Sequence, residues 1–483
     1  MAYQGHIGPA QKGIRWMQLS HAPHKISAGF DDPNLVSCAG LVPVAALAER
    51  VGLRRLLGER LTVASPNPVI KMLAVVLGMV AGADSIDDLD LLRHGAMRRL
   101  FTGVRAPSTL GTFLRSFTFG HVRQLDAAGA GLLAALVAHT PLLPGRDQIT
   151  YLDVDDTVRE THGYAKQGAG RGYTGAKGLN VLLATLSTPG RSSGSVPLIA
   201  AARLREGAAS SVRGAWKLVA DALATARRCG AGRLVIVRAD SAYYAHAIVA
   251  TAARAGARFS VTLRHTPAVI TAIAGIDDAA WTPIRYRQAV WDDQEGRWVS
   301  EAEVAEIAFT AFTGRRRHEQ VAARLIVRRV RRLNPATAPA GHRAQGELFA
   351  AYRYHAIFTD SPMSMLDAEA AHRDHAIIEQ VIADLKHSAL AHLPSGNFAA
   401  NGAWLAAATM AYNLTQAAGA LAGGLHARAR TATLRTRLIN VAARVAGSAR
   451  RQVLHLPEHW PWEAGLDELF RRALHDPLPV RPA

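Results

Sequence analysis

The N-terminal part of the chain has the apolar spacing that is typical of helices. Residues 42–57 place apolar side chains at helical intervals, and two further segments with the same period cover residues 68–83 and 86–100. These patterns predict a helical domain over residues 1–145.

One of these segments could bind DNA. Gly52 interrupts it and would form a turn between two short helices, with Arg54 and Arg55 at the start of the second. This spacing fits a helix-turn-helix. It also fits an ordinary helical hairpin whose arginines are solvated.

The pattern changes to short strands after Pro144. Residues 149–154 alternate in the manner of a strand, and residues 234–237 form the continuous apolar run of a buried central strand. Further strands are predicted near 179–187, 196–203 and 259–263, and helices over 212–228 and up to 255. The order strand-strand-strand-helix-strand-helix-strand matches a ribonuclease H-like core, by analogy of fold.

The remaining sequence completes the predicted architecture. Residues 266–359 are strand-rich with no clear helical period, and the chain after Pro362 is helical to about residue 453. We therefore predict an α/β protein with a ribonuclease H-like catalytic core. An N-terminal helical DNA-binding domain would cover residues 1–145, and the catalytic core would consist of residues 146–265 and 360–425. A β-rich insertion would cover residues 266–359, and a C-terminal helical region residues 426–483.

The chain is strongly basic. Its 483 residues carry 56 Lys and Arg against 38 Asp and Glu, a formal charge of +18, which favours a nucleic-acid partner through phosphate neutralisation. A source that simply prefers Arg over Lys would give a similar charge without that partner. The 49% hydrophobic and 19% charged content is typical of a globular protein and excludes a disordered one.

Cysteine usage and the apolar segments indicate a reducing, cytoplasmic location. Cys38 and Cys229 are the only cysteines, so we expect neither a disulfide framework nor a thiolate zinc site. No signal-peptide pattern is visible. The apolar stretches 69–83 and 405–425 contain polar residues such as Lys71, and buried helices explain them better than membrane spans do.

The first of three acidic motifs contains two candidate catalytic residues. Asp153 and Asp155 lie two residues apart at the end of the predicted strand 149–154, so they share one face about 7 Å apart and either can reach a site there. An Asx turn that closes the strand, with Asp156 and Thr157 as turn residues, would explain the same motif.

The second motif follows the apolar strand 234–237. Asp240 stands where that strand ends, and the carboxyl ends of central strands are where sites in α/β proteins are built. A structural cap made by Asp240 and Ser241 is the alternative.

The third motif lies on a predicted helix. At 100° per residue, four polar side chains fall within an arc of about 60° beside an apolar stripe that would dock the helix on a sheet. They are His372, His375, Glu379 and Lys386. Glu379 could point into the site while the other three meet phosphates, although a solvated amphipathic face has the same pattern.

The three motifs together predict a metal site. Carboxylates that crowd together repel one another unless cations hold them. In the predicted core, two strand ends and one helix would bring three acids together. They are Asp240, Glu379 and either Asp155 or Asp153. Two divalent cations about 3.5–4 Å apart would activate an attacking hydroxyl and stabilise the leaving oxygen. Such acids in a basic chain suit the cleavage of a polyanion.

These residues resemble the motifs of bacterial insertion-sequence DDE transposases, in the branch with a β-rich insertion between the second Asp and the Glu. The resemblance covers most of residues 35–475. It rests on LDVDDT (152–157), VRADSAYY (237–244), IIEQVIADLK (377–386) and TLRTRLINVAARV (433–445). That branch has a Tyr-x2-Arg-x3-Glu-x6-Lys signature: Glu379 and Lys386 match it, while His372 and His375 stand at the Tyr and Arg positions.

The resemblance implies a catalytic and metal-binding triad of Asp155, Asp240 and Glu379. Asp155 is preferred to Asp153 because the family's first Asp lies two residues before Thr or Ser. The resemblance also implies two Mg²⁺ or Mn²⁺ ions, and double-stranded DNA at transposon ends and target. Cleavage that generates 3′-OH groups and strand transfer would follow in a homo-oligomer on DNA, associated with the bacterial nucleoid.

The resemblance further implies contacts to DNA from the third motif and from the insertion. The expected DNA-binding residues are Lys386, His372, His375, Arg373, Arg315, Arg316, Arg317, Arg324, Arg328 and Trp298. Some relatives close a hairpin at the transposon end and stack a flipped base on a Trp in the insertion. Trp298 or Trp291 could do so here, or could pack in the core.

Two other functions fit the same residues. A metal-dependent nuclease or phosphohydrolase would cut DNA without strand transfer. A DNA-binding regulator would keep the basic surface without catalysis.

Overall fold

A ten-stranded mixed sheet forms the centre of the molecule. The computed structural model describes residues 17, 19–162, 165–172, 175–189, 196–286, 290–292, 297–299, 302–331, 352–448 and 451–476. The strands are β1 Leu35–Val36, β2 Ile149–Glu160, β3 Gly170–Arg171, β4 Lys177–Ser187, β5 Leu198–Glu206, β6 Leu234–Ala239, β7 Arg258–Leu263, β8 Thr282–Ile284, β9 Val290–Asp292, β10 Arg297–Val299, β11 Ala302–Ala311, β12 Val321–Arg331, β13 Tyr352–Thr359, β14 Ala443–Ser448 and β15 Arg451–His455.

The described residues also form helices, several of which pack on the sheet. They are α1 Leu41–Arg50, α2 Leu53–Arg60, α3 Pro68–Ala81, α4 Met97–Leu100, α5 Pro107–Arg115, α6 Phe119–His139, α7 Ala215–Arg228, α8 His246–Arg254, α9 Pro267–Ala274, α10 Met365–Arg373, α11 Ile377–Lys386, α12 Phe398–Ala422, α13 Thr431–Leu434 and α14 Glu463–Phe470. Short 3-10 turns include Asp87–Leu92, Ser241–Tyr243, Arg317–Glu319 and Asp374–Ala376.

The order of elements predicted for residues 149–263 is confirmed. Strands β5, β4, β2, β6 and β7 are neighbours in that order, with β2, β6 and β7 parallel and β4 antiparallel to both β2 and β5. Helices α7 and α8 connect β5 to β6 and β6 to β7. Strand β2 continues to Glu160, so the alternative of an Asx turn at Asp156 and Thr157 is wrong.

The strands of the predicted insertion extend the same sheet. Strand β13 pairs with β7 from Ala356 opposite Leu263 to Thr359 opposite Ser260, and β12, β11 and β8 follow. The strand-rich character of this segment was therefore predicted, but helix α9 was not. Its sequence contains Val, Ile and Thr, which favour strands, and Thr266 caps it ahead of a proline at its first turn.

Helix α12 connects the sheet to the N-terminal helices. Its 25 residues are buried over almost their whole length, and it packs against α3, α6 and β5. The buried side chain of Asn413 forms two hydrogen bonds with the backbone of Ile199 on strand β5. It accepts from the N–H at 3.0 Å and donates to the carbonyl at 2.9 Å. In the part of the chain that the structure describes, no helix has the length and apolar character of a bilayer span.

The N-terminal helices match the prediction in part. Helices α1 and α2 are separated at Gly52, whose φ of 81° favours glycine. A single helix over residues 86–100 is wrong, because this segment forms the 3-10 turn Asp87–Leu92 and the short helix α4. The helical conformation is interrupted at Gly95, which has a φ of 48°. A Cβ added at this position would overlap the carbonyl oxygen of Leu35.

The prediction of a helical C-terminal region is also wrong in part. Strands β14 and β15 form an antiparallel hairpin, and β14 also pairs with β1, where Val36 lies opposite Ala443. The alanine-rich sequence favours a helix locally, and pairing with a distant strand overrides that preference.

Candidate active site

Two of the three predicted acids meet at the ends of neighbouring strands. The parallel ladder of β2 and β6 ends at Val154 opposite Ala239, and the next residue of each chain segment is Asp155 or Asp240. Both aspartates line one open cleft of about 840 Å³. The alternating pattern of β2 and the apolar run of β6 thus place two carboxylates side by side.

Asp155 has an unfavourable environment for its negative charge. Burial raises the pKa of Asp155 to about 6, against a hydrogen bond from the N–H of Asp156 at 2.7 Å that favours ionisation. His375 also favours the ionised form, while the carboxylate of Asp240 disfavours it. A carboxyl group in this state gains from a bound cation.

Asp240 is exposed and has a structural role as well. Its Oδ1 accepts from the N–H of Ala242 at 2.9 Å and caps the 3-10 turn Ser241–Tyr243. The capping role considered as an alternative is therefore present. It engages one carboxylate oxygen, and the residue still lines the cleft with Asp155.

Glu379 does not line the cleft that contains the two aspartates. It is exposed in the first turn of α11, a helix that packs on strand β2. Among the residues that the structure describes, no three Asp, Glu, His or Cys side chains are close enough to hold one metal ion. The arrangement in this structure is a pair of acids with the third on an adjacent helix.

Asp153 lies deeper than Asp155 and is fully paired. It is 0% exposed, and its two carboxylate oxygens accept from Nε and Nη2 of Arg238 at 2.6 and 2.7 Å. Nδ1 of His375 donates to the same carboxylate at 3.0 Å. Burial alone would raise the pKa of Asp153, but Arg238 and His375 hold it below its usual value. The geometry favours Asp155 over Asp153 as the acid that faces the cleft.

The two histidines of the third motif face the sheet. His372 is buried between the hydroxyls of Ser260 and Thr262, at 2.8 and 2.9 Å. Burial lowers the pKa of His372 to about 3, and the nearby His375 adds to the effect. His372 is therefore a neutral structural residue, and its expected contact with DNA phosphates does not fit this structure. His375 is likewise turned inward, to Asp153.

Lys386 lines a second, basic cleft of about 1020 Å³. It lies between α5, the end of β2 and the segment after α11, and its other cations are Arg115, Arg159 and Lys166. Burial lowers the pKa of Lys386, and the charge of Arg159 lowers it further. Within the described residues none of these four cations forms an ion pair. Asp87 and Glu160 also line the cleft, so the formal charge of its lining is positive and favours an anion.

The arginines of the insertion divide into two groups. Arg315, Arg316 and Arg317 are exposed in the turn between β11 and β12. Arg324 instead pairs with Glu306 and donates to two backbone carbonyls. Its guanidinium is committed to the protein, so its expected contact with DNA does not fit this structure.

Arg328 and Arg373 are held by the same acid. Glu369 is 2% exposed and lies 2.9 Å from Arg328 and 3.2 Å from Arg373. Arg373 also stacks on Tyr286, 4.8 Å from the ring centre. Arg328 therefore joins strand β12 to helix α10, and only the half-exposed Arg373 remains open to DNA. The side chain of Trp298, on β10, lies outside the described residues.

Sequence reasoning missed two buried arginines that organise the site. Arg238 stands in strand β6, and Arg205 in β5 pairs with buried Asp156, which also accepts from Asn180 at 2.9 Å. A charged residue within an apolar strand requires a buried partner, and this signal was available at Arg238. Its partner Asp153 is 85 positions away, which a pattern of local spacing does not reveal.

Paired carboxylates in an open cleft suit metal-assisted phosphoryl transfer, the chemistry of transposase-type enzymes. Residues 20–476, nearly the whole chain, match a family model described as transposase DDE domain group 1. The chain therefore belongs to this family, and it is a DDE transposase of the insertion-sequence type. No curated protein matches it in sequence.

Proposed function

We propose that this protein binds the terminal inverted repeats of an insertion sequence and catalyses metal-dependent DNA cleavage and strand transfer, as a homo-oligomer on DNA. The observation that carries the proposal is the pairing of Asp155 and Asp240 in one cleft of a chain that belongs to the DDE family. The order and direction of β4, β2, β6 and β7 support a ribonuclease H-like core around this pair.

The residues present fit a hard divalent cation. Mg²⁺ and Mn²⁺ prefer carboxylate oxygens, and Asp155 and Asp240 supply them. Burial raises the pKa of Asp155 despite the hydrogen bond from Asp156 and the nearby His375, and a bound cation would favour its ionised form. Asp155 and Asp240 would hold the ions, which when bound activate the attacking hydroxyl and stabilise the leaving oxygen.

Glu379 would complete the triad through its own side chain. It is exposed on a helix that packs on β2, the strand that carries Asp155. Its several rotatable bonds allow the carboxylate to turn toward Asp155 once DNA and metal are bound. In this proposal helix α11 stays in place, and the side chain of Glu379 changes conformation to approach the metal ions.

The DNA would cross the two clefts. Lys386 and Arg159 are cations without ion-pair partners among the described residues, and they line the basic cleft beside strand β2. Arg159 follows Asp155 by four residues on this strand, about 13 Å along it, so one phosphate backbone can contact both. Arg171 and Arg264 line the catalytic cleft itself. These contacts would position the strand without reading its sequence.

The experiment compares matched acid substitutions on DNA that flanks the coding region. Asp240→Asn and Glu379→Gln should abolish cleavage of the transposon ends in Mn²⁺ while end binding persists. The controls Asp467→Asn and Glu458→Gln change exposed acids elsewhere and should cleave normally. Full activity of Asp240→Asn or Glu379→Gln would remove that residue from the triad.

The products of the wild-type protein decide between the functions. End DNA joined to a target plasmid supports transposition. Nicked ends without joined products would identify a nuclease, and bound ends without any cleavage would identify a DNA-binding regulator. Either of these two results would contradict the proposal.

A further inference from the structure

Three polar residues accompany the three acids of the proposed triad, two of them buried and His375 half-buried. Asp153 precedes Asp155 by two residues on β2, and Arg238 precedes Asp240 by two residues on β6. His375 precedes Glu379 by four residues, about one helical turn. Residues two apart on a strand share a face. His375 lies in the 3-10 turn Asp374–Ala376, which leads directly into α11. Asp155 and Asp240 therefore each have a buried polar companion on the same strand, and Glu379 has a half-buried one in the turn before its helix.

The companions form one connected cluster. Arg238 and Asp153 lie directly opposite each other in the parallel ladder and share two hydrogen bonds, at 2.6 and 2.7 Å. His375 donates to Asp153 at 3.0 Å from the helical side. The remaining Nη1 of Arg238 donates to the carbonyl of Ala371, near the end of α10. The cluster thus bonds strands β2 and β6 to the segment that leads into α11.

The ion pair at the centre of the cluster is fully buried. Arg238 and Asp153 are 1% and 0% exposed, and the guanidinium also stacks on Tyr151 at 4.0 Å. A buried ion pair adds little to stability compared with apolar residues of the same volume, but it fixes relative position, since any displacement leaves charges unpaired. A role in geometry therefore explains this pair better than a role in stability.

We propose that Asp153, Arg238 and His375 are positioning residues that hold helix α11, and with it Glu379, at a fixed place relative to Asp155 and Asp240. This inference rests on the proposed function for its catalytic consequence. It assigns His375, at the Arg position of the family signature, to the inside of the protein and not to DNA. Loss of the His375 contact should loosen the first turn of α11 and weaken metal binding by the triad.

The test replaces His375, which is partly exposed and can change without burying a new charge. His375→Leu removes the bond to Asp153, whereas His375→Asn retains an N–H that can donate to it. His387→Leu, on the exposed end of the same helical segment, is the matched control. Two readouts are needed: amide hydrogen exchange along α11, and the Mn²⁺ concentration for half-maximal end cleavage together with end affinity.

In His375→Leu we expect exchange in the first turn of α11 to rise about tenfold, with α12 unchanged. The Mn²⁺ requirement should rise roughly 10–100-fold, as when groups that orient metal ligands are removed, with unchanged end affinity. His375→Asn should recover most of both, and His387→Leu should match the wild type. Unchanged exchange in His375→Leu, or lost end affinity with an unchanged Mn²⁺ requirement, would overturn the inference. If the wild-type protein cleaves no ends, the proposed function fails, and the exchange rates alone then decide the positioning role.

Discussion

Replacing Asp155 with Asn should stabilise the metal-free protein at neutral pH. Burial raises the pKa of Asp155 from 3.8 to about 6, and the Asp240 carboxylate contributes. One pH unit corresponds to ~1.4 kcal/mol, so the ionised carboxylate costs the folded state ~3 kcal/mol relative to the unfolded chain. Asn cannot ionise, and its carbonyl oxygen can still accept the hydrogen bond from the N–H of Asp156.

The sign of the pH dependence follows from the raised pKa. The folded protein keeps the proton over a range in which the unfolded chain has already lost it. The destabilisation is therefore absent well below about pH 4, grows as the pH rises to about 6, and is complete above that. The stability gain of Asp155→Asn should follow the same course.

Urea unfolding in EDTA measures this gain. At pH 8 the Asp155→Asn variant should be more stable than the wild type by ~3 kcal/mol, and at pH 4 the two should nearly coincide. Added Mn²⁺ should stabilise the wild type by ~2.7 kcal/mol at a hundredfold excess over Kd, and the variant by less. Asp467→Asn is the control. Equal stability at pH 8, or a difference that persists at pH 4, would contradict the electrostatic account of the cleft.

Two further predictions concern the buried pair and the basic cleft. Arg238→Met should cost ~3–5 kcal/mol in urea unfolding because it leaves Asp153 buried without its guanidinium partner, and the double variant with Asp153→Leu should recover most of that loss. A double variant as unstable as the single one would show that the cost is packing and not charge. Lys386→Ala should weaken binding to all DNA sequences alike and reduce the slope of log K against log salt by about one, whereas His387→Ala should leave the slope unchanged. An unchanged slope for Lys386→Ala would place the phosphate path elsewhere.

The strand ends could be predicted because their signals are local. The apolar run of β6 and the alternation of β2 each identify a strand within a few residues, and the order of elements then makes the two strands neighbours. Asp155 and Asp240 follow directly, since both stand where the ladder ends. The extension of the sheet by β11, β12 and β13 has no local signal, because a strand-rich segment can equally pair within itself.

The place of Glu379 required information that a helical pattern lacks. A single helical period over residues 372–386 predicted one face shared by Glu379, His375 and Lys386. It does not give the rotation of that face against the sheet. In the structure His375 is turned toward Asp153, Glu379 remains exposed, and Lys386 lines the basic cleft. The predicted single helix is interrupted, because His375 lies in the 3-10 turn Asp374–Ala376, whereas Glu379 and Lys386 lie on α11.

The choice between Asp153 and Asp155 shows the same limit at atomic scale. A period of two puts both on one face of β2, so alternation alone leaves them equivalent. Burial distinguishes them: Asp153 is enclosed with Arg238, whereas Asp155 lies at the end of the ladder, where helix and loops leave a cleft. A buried acid that already has two bonds from a guanidinium has little capacity left for a metal, and a poorly compensated acid at the opening has more. Two aspartates on one face of a strand can therefore have different roles. We infer that the inner Asp153 fixes the geometry and that the outer Asp155 is available for the chemistry.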